Sequence, residues 1–505
     1  MSIVQGMNNS NGYTENHLET KMEPDFDEKK RREIKGVTYQ IIMSLCASSS
    51  VLGPSMAFGY SAVVLGPLMA PTSDVQVGRA QGNWIATVTA LGIPFGCILS
   101  SYTMRRGRKL SLLITSVLSF VGWMVIHFST TYEQILVGRI ISGIATGSAA
   151  VPATVYCAEV ASPLWRATMV TWTSVSVGIG VLIVYIFGYL FEDNWRLVAL
   201  MCALFPLVSG AVTLAVVPET PIWLWDRGRL DEALETLQRF RGIPKNTPPS
   251  SDLLQELRQR PQKKNQNLMR HLLKRNAIVP FAIMLTYFFF QQFCGIFVVV
   301  YYAVDIIESS GITMDPYLGA VLIGLTRLIG SLLVAAVSGR FGRRIPSIVS
   351  GIGMTIFMGI LSVYLVLADK GYVIEDGGLI PVICVLMYIF ASTLGFLVVP
   401  FAMVGEIYPT KVKEVLTGVT TCVGYIFSSI TVKIYPDMET SMGTHGVFIF
   451  FTVMSFVGTL FVQFFLPETK GKTLMEIEEM FRKKDSPDSP EAKRMVVLKD
   501  VSAGV

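Results

Sequence analysis

Residues 288–302 read FFFQQFCGIFVVVYY, which sets two amides, Gln291 and Gln292, inside an aromatic and aliphatic run. A buried amide must find hydrogen-bond partners, because desolvating it without them is costly. It can bridge to a neighbouring helix, or it can line a water-filled cavity. In a cavity it offers both donors and an acceptor, which suits a neutral polyhydroxylated solute. Arg327 is the other unusual residue, placed within the apolar run 317–338. It precedes Arg340 by thirteen residues, roughly 20 Å along a helix. A guanidinium stays charged under ordinary conditions. Arg327 therefore either pairs with an acid, Asp305 or Glu308 being candidates, or faces an interior path where it touches a solute or screens out cations. Enzymatic chemistry is not supported: there is no Gly-rich phosphate loop, metal-ligand cluster or nucleophile beside a base. No cofactor and no metal are expected.

The elements that must hold these residues are long and oily. Of 505 residues 51% are hydrophobic and 16% charged, against roughly 25% charged in soluble proteins. Stretches able to cross a bilayer recur about twelve times, near 37–60, 83–104, 109–129, 132–158, 165–190, 196–217, 276–306, 317–338, 346–368, 379–405, 414–435 and 445–466. A soluble helical protein would need a charged face on each helix, and these have almost none. The first run is too long, and lies too far in, behind Lys29, Lys30, Arg31 and Arg32, for a cleavable signal peptide. All seven cysteines fall within the runs and read as packing residues rather than disulfides or metal ligands.

Lys and Arg mark cytoplasmic loops. Arg105, Arg106, Arg108 and Lys109 follow the second run, Arg340, Arg343 and Arg344 the eighth, and Lys411 and Lys413 the tenth. The alternate loops carry Asp193, Asp315, Asp376 and Asp437. Both termini are accordingly expected in the cytoplasm, where the sequon Asn8-Asn9-Ser10 would escape glycosylation. The short basic motifs are topogenic and too small for nucleic acid, so the expected partners are the lipid bilayer and a small-molecule substrate. Three segment pairs repeat at an offset of roughly 240 residues: RRGRK (105–109) with RFGRR (340–344), PETP (218–221) with PETKGKT (467–473), and AEVASPLWRA (158–167) with GEIYPTKVKE (405–414). This divides the chain into a polar tail 1–36, a six-helix half 37–217, a partly helical cytoplasmic linker 218–275, a second six-helix half 276–466 and a tail 467–505.

These motifs, in order and in register over about 40–480, resemble the sugar porter family of the major facilitator superfamily. They stand as Gly107-Arg108-Lys109, Gly138-Arg139, Pro152/Tyr156/Glu159/Pro163/Arg166, Pro218-Glu219-Thr220-Pro221, Gln291-Gln292 with Tyr301-Tyr302, and Pro467–Gly471. GEIYPTKVKE further resembles the insect trehalose transporter branch. The resemblance implies an all-α membrane protein with twelve transmembrane helices in two six-helix pseudo-repeats, the major facilitator fold. It makes Gln291 and Gln292 the sugar-contacting pair. It also implies a cytoplasmic gate from Arg139, Glu159, Arg166, Glu219, Arg340, Glu406, Lys413 and Glu468, whose charges pair across the halves in one state and separate in the other; static surface ion pairs are the alternative.

The chain departs from the family at Phe297, Arg327, Phe401 and Gly424-Tyr425, and at Ser174 where span five usually has glutamine. Most amide contacts are thereby replaced. Met104 and Gly339 stand where the loop motifs have acids. Tyr60, Phe297, Phe401 and Tyr425 could stack on apolar sugar faces or close the cavity. Proton-coupled relatives carry an acid in span one near Ser61, and His127 is expected near the outer end of span three, so passive transport is the simpler expectation. The expected function is a facilitative carrier, expected in the plasma membrane, for a sugar such as trehalose or a hexose. A carrier of another polar or anionic solute, and a non-transporting membrane sensor, are the alternatives.

Overall fold

The computed structural model describes residues 26–149, 151–244, 253, 272–309, 314–337, 342–372, 378–409, 412–470 and 474–481. Arg340, Gly339, Asp376, the sequon at Asn8 and most of the linker beyond 244 lie outside them. Among the described residues the regular structure is helical throughout. Eleven helices are long and apolar enough to cross a bilayer, and one of these, Val415–Phe465, bends at Gly443. Gly443 has φ 72°, a left-handed conformation that favours glycine. Its two arms are the eleventh and twelfth spans, so the expected twelve are present.

The surface is apolar where a soluble protein would be charged. Phe95, Ile98, Val117, Leu214 and Phe464 point outward, while Ser44, Ser48, Ser61, Thr87 and Thr146 are buried. That inversion belongs to a chain whose solvent is lipid. Spans two (Arg79–Arg106), three (Arg108–His127), five (Arg166–Leu190), six (Trp195–Ala215), eight (Pro316–Val337) and nine (Arg344–Asp369) each form one helix. Local chemistry sets their ends: the Asn194 side chain accepts from the Leu197 N–H at 3.0 Å to cap span six.

The remaining spans recur every third position and are interrupted. Span one is Phe26–Ser49 plus Leu52–Met69, span four Tyr132–Ala149 plus Pro152–Val160, span seven Arg275–Phe293 plus Ile296–Tyr301 and Ala303–Ser309, and span ten Leu379–Leu394 plus Val399–Met403. Span one runs to Met69, nine residues past the expected end, because Pro67 sits in its last turns without ending it. Span seven, expected as one helix, breaks at Gly295, whose φ is 91° and whose missing Cβ would lie 2.6 Å from the Phe451 ring. Broken helices are tolerated at membrane depth where other helices or a cavity receive the freed backbone groups.

The halves meet where span two packs on span eleven and span five on span eight, with Ile296–Tyr301 and Ala303–Ser309 of span seven against span one. The linker is docked rather than merely solvated. Phe240, at the end of helix Leu230–Phe240, is fully buried against the Tyr39 ring, centroids 5.0 Å apart. Gln40 donates to the Phe240 carbonyl at 2.7 Å and accepts from the Ser162 N–H at 2.8 Å, joining linker, span one and the end of span four.

Candidate functional site

Gln291 and Gln292 both lie in the last turn before the break in span seven, and their side chains are held differently. Gln291 Nε2 donates to the carbonyls of Phe396 (2.8 Å) and Leu397 (3.1 Å), which the interruption of span ten exposes. Its Oε1 accepts from Gln292 Nε2 at 3.3 Å. Gln291 thus ties one broken helix to another, the bridging role. Gln292 is 1% exposed, yet its Oε1 has no hydrogen-bond partner. It is the member of the pair whose acceptor the protein leaves unsatisfied.

Aromatic walls continue from there. Phe288, one turn before Gln292 on the same helix face, meets Phe401 at 5.1 Å between centroids, and Phe401 meets Tyr425 at 5.9 Å. Gly424 leaves the space that the Phe288 ring fills, 2.6 Å from where a Cβ would stand. Phe297 is buried against Phe58 of span one at 5.7 Å, and Phe58 meets Tyr301 edge-on at 6.0 Å. Tyr301, wholly buried, has an unpartnered hydroxyl. Tyr185 of span five donates to the Val300 carbonyl at 2.6 Å.

Arg327 joins this group instead of the acids proposed for it. It is 4% exposed, with Nε and Nη1 lacking hydrogen-bond partners, and its electrostatic neighbours are Tyr185 and Tyr425. Asp305 and Glu308 lie elsewhere, lining a vestibule with Arg79. Ser174 is half-buried on span five, eleven residues from Tyr185, roughly 16 Å along the helix. Sequence reasoning overlooked Phe58, Tyr185 and Tyr301 as site residues. Tyr301 stood in the quoted motif; the other two carried no local signal, since only packing reveals them.

Arg139 was expected at the gate and is not there. Span four enters from the opposite face, so twenty residues, or roughly 30 Å of helix, separate Arg139 from Glu159. Arg139 is wholly buried; it donates to the Ser61 hydroxyl, to the Ala57 carbonyl at 3.1 Å and to the Ile85 carbonyl at 3.2 Å, beneath the Tyr60 ring at 5.5 Å. Its partner on span one is therefore a neutral hydroxyl, not an acid. His127 ends span three, its Nδ1 2.9 Å from the Arg196 carbonyl.

Four of the remaining gate residues, Glu159, Glu219, Glu406 and Glu468, form two matching clusters with Arg108 and Arg343. Arg108 grips Glu159 through Nε (3.1 Å) and Nη2 (2.9 Å), and the Thr220 hydroxyl donates to the same carboxylate at 2.6 Å. The second half repeats this atom for atom: Arg343 grips Glu406 through Nε (3.3 Å) and Nη2 (2.7 Å), with Thr469 donating at 3.1 Å. Glu219 accepts the backbone N–H groups of Arg108 and Lys109, as Glu468 does those of Arg343 and Arg344. Where the acid is replaced by Met104, Arg108 Nη1 uses the Met104 carbonyl at 3.0 Å. These ion pairs lie within each half, and their bases, Arg108 and Arg343, belong to the basic loop motifs rather than to the expected gate set. Arg166 opens span five, exposed, and Lys413 opens span eleven, half-buried.

The two accepting carboxyls differ. Burial raises Glu219, and the N–H groups of Thr220, Arg108 and Lys109 only partly offset it. Burial also pushes Glu468 upward, but the N–H groups of Arg343, Lys470, Arg344 and Thr469 together hold it below its ordinary value.

The family model described as Sugar (and other) transporter matches residues 45–481. The facilitated trehalose transporter Tret1-2 homolog of Drosophila sechellia is 30% identical over 439 residues, covering 86% of this chain and 89% of that one. The facilitated trehalose transporter Tret1 of Drosophila erecta is 30% identical over 441 residues, 86% of this chain, and the chain spans 51% of that longer protein. Among solved structures, the proton:xylose symporter XylE of E. coli superposes with a TM-score of 0.71 at 21% identity, covering 88% of this chain and 100% of the other.

Proposed function

The chain belongs to the sugar (and other) transporter family, and from that premise we propose that it is a passive carrier of a neutral sugar, trehalose or a hexose, working by alternating access. The observation that carries this reading is the set of buried polar atoms without protein partners: Gln292 Oε1, the Tyr301 hydroxyl, and Arg327 Nε and Nη1. They comprise an acceptor, a hydroxyl and two donors, with Phe297 and Tyr301 both packed on Phe58, and Tyr425 near Tyr301 and Arg327. Such a surface matches alternating hydroxyls and apolar ring faces. Passive movement is supported by Ser61, since a hydroxyl facing Arg139 cannot exchange a proton during the cycle. The interrupted spans one, four, seven and ten are the elements that would rearrange around the site.

In this reading the face bearing the Arg108 and Arg343 clusters is cytoplasmic, with both termini, and the membrane is the plasma membrane. The carrier halves are 37–217 and 276–466, with 1–36, 218–275 and 467–505 on the cytoplasmic side. The gate consists of the two charge clusters, extended by Arg166, Arg340 and Lys413.

The test is counterflow of labelled trehalose and glucose in proteoliposomes. Saturable exchange that Gln292→Ala lowers about tenfold supports the reading. Folded protein silent toward both sugars defeats it. A second reading, carriage of an anionic solute, is favoured by the two unpartnered N–H groups of Arg327. Arg327→Asn separates the readings: anion uptake vanishes under the second, and sugar exchange persists under the first.

A further inference from the structure

The outer vestibule lies on the face opposite the charge clusters and is distinct from the central site. It has a volume of about 460 Å³, within the range of small-molecule sites. Its lining includes Asp305, Glu308, Asp437 and Glu439 but a single guanidinium, Arg79. Four carboxylates against one guanidinium leave a formal balance of −3. Asp305 is half-buried, on the last piece of span seven, so its charge is only partly answered by water.

A second feature points to a ligand. Tyr435 lines the same cavity, is 2% exposed, and its hydroxyl has no hydrogen-bond partner. Its ring packs against that of Tyr302, also in the lining, with centroids 4.9 Å apart. Carboxylates beside paired tyrosine faces are the chemistry that holds ammonium groups, by charge and by cation–π attraction. A compact metal ion fits less well, because no three acids among the described residues are grouped to hold one. A neutral sugar would leave the excess charge unanswered.

We propose that this vestibule is a binding site for an organic ammonium cation, and that an occupied vestibule obstructs entry to the central pocket from that face. Asp305 and Glu439 anchor the ammonium, Tyr302 and Tyr435 cover its methylene or methyl groups, and exposed Glu308 and Asp437 contribute through the field. The proposal stands independently of which solute is carried.

The experiment is a thermal-shift titration of the purified full chain in detergent with spermidine and with tetramethylammonium, against potassium chloride at matched ionic strength. A saturable rise in melting temperature is expected with either amine and not with the salt. Asp305→Asn combined with Glu439→Gln should abolish it. Glu308→Gln and Asp437→Asn, which alter exposed groups alone, should each weaken binding by roughly threefold while the protein melts normally. Gln292→Ala should leave it unchanged, so that loss of the central pocket and loss of this site are told apart. The proposal is overturned if neither amine shifts the melt, if potassium chloride or neutral sorbitol shifts it equally, or if the double variant folds and retains the response.

Discussion

Each half of the molecule buries one arginine within the membrane, and the two are treated differently. Arg139, in the first half, is saturated by Ser61 and two helix carbonyls and covered by the Tyr60 ring. Arg327, in the second, keeps Nε and Nη1 without partners, near Tyr185 and Tyr425. Gln292 and Tyr301, with unpartnered polar atoms of their own, are in the second half as well. Of the two arginines, the first-half one is therefore saturated by the protein and the second-half one keeps two unpartnered donors, although the first half also has unpartnered buried hydroxyls, at Tyr39, Thr89, Ser100, Ser119 and Thr213. The charge clusters on the opposite face show the same bias: Glu159 is 2% exposed beside Arg108, whereas Glu406 is 36% exposed beside Arg343.

The sharpest way to break this contrast is one substitution made at both sites. Arg139→Met forfeits three charge-assisted hydrogen bonds and should destabilise by about 3 kcal/mol or more. Arg327→Met removes a buried charge that lacks a counter-ion and should be neutral or stabilising by about 1 kcal/mol. Melting in detergent reads both, and equal losses would end the distinction.

Arg108→Ala and Arg343→Ala make a second pair. Removing Arg108 strands the buried Glu159 from its bidentate partner, at a cost of about 3 kcal/mol. The exposed Glu406 is hydrated when Arg343 goes, and the loss should stay near 1 kcal/mol. A reversed order in thermal denaturation would contradict the view that burial of the carboxylate decides the cost.

Within span seven the glutamines should separate. Gln291→Ala removes two interhelical hydrogen bonds and should cost about 2 kcal/mol in stability. Gln292→Ala should melt almost as the parent does and lose sugar exchange by tenfold or so, about the worth of one good hydrogen bond. Melting and counterflow measured on the same preparations decide it.

The smallest effect is on pH dependence. Glu468 is held below its ordinary value, so its contribution is present at neutral pH and is lost as pH falls through the folded-state value. Glu219 is raised, so its contribution is fully present below the ordinary carboxyl value and lost as pH rises through the folded-state value. Acidification should loosen the second-half cluster and tighten the first. Comparing the acid branch of melting for Glu468→Gln and Glu219→Gln shows it: the first flattens the loss, the second removes a gain.

Much of this was legible in the residues. Twelve spans, the repeat and the amides of span seven follow from hydropathy and motif spacing. The interruptions at 50–51 and 294–295 did not, because a continuous apolar run reads alike whether its helix is straight or broken. Arg139 was misplaced for a related reason: a motif gives chain position, while depth depends on the direction in which its span crosses. Gln291 and Gln292 are adjacent and chemically identical, so only the carbonyls released by span ten could divide their roles. Arg340, outside the described residues, keeps its place in the gate as a proposal.

The central claim is passive carriage of a sugar, and it is tested most directly by accumulation under a proton gradient. Proteoliposomes holding the full chain would receive labelled trehalose, or glucose if that is the sugar exchanged, with and without an imposed inward gradient. The account predicts that internal sugar rises to the external concentration and stops there, at the same plateau in both conditions, because the span-one position facing Arg139 is Ser61. Accumulation above the external concentration, dependent on the gradient, would contradict it.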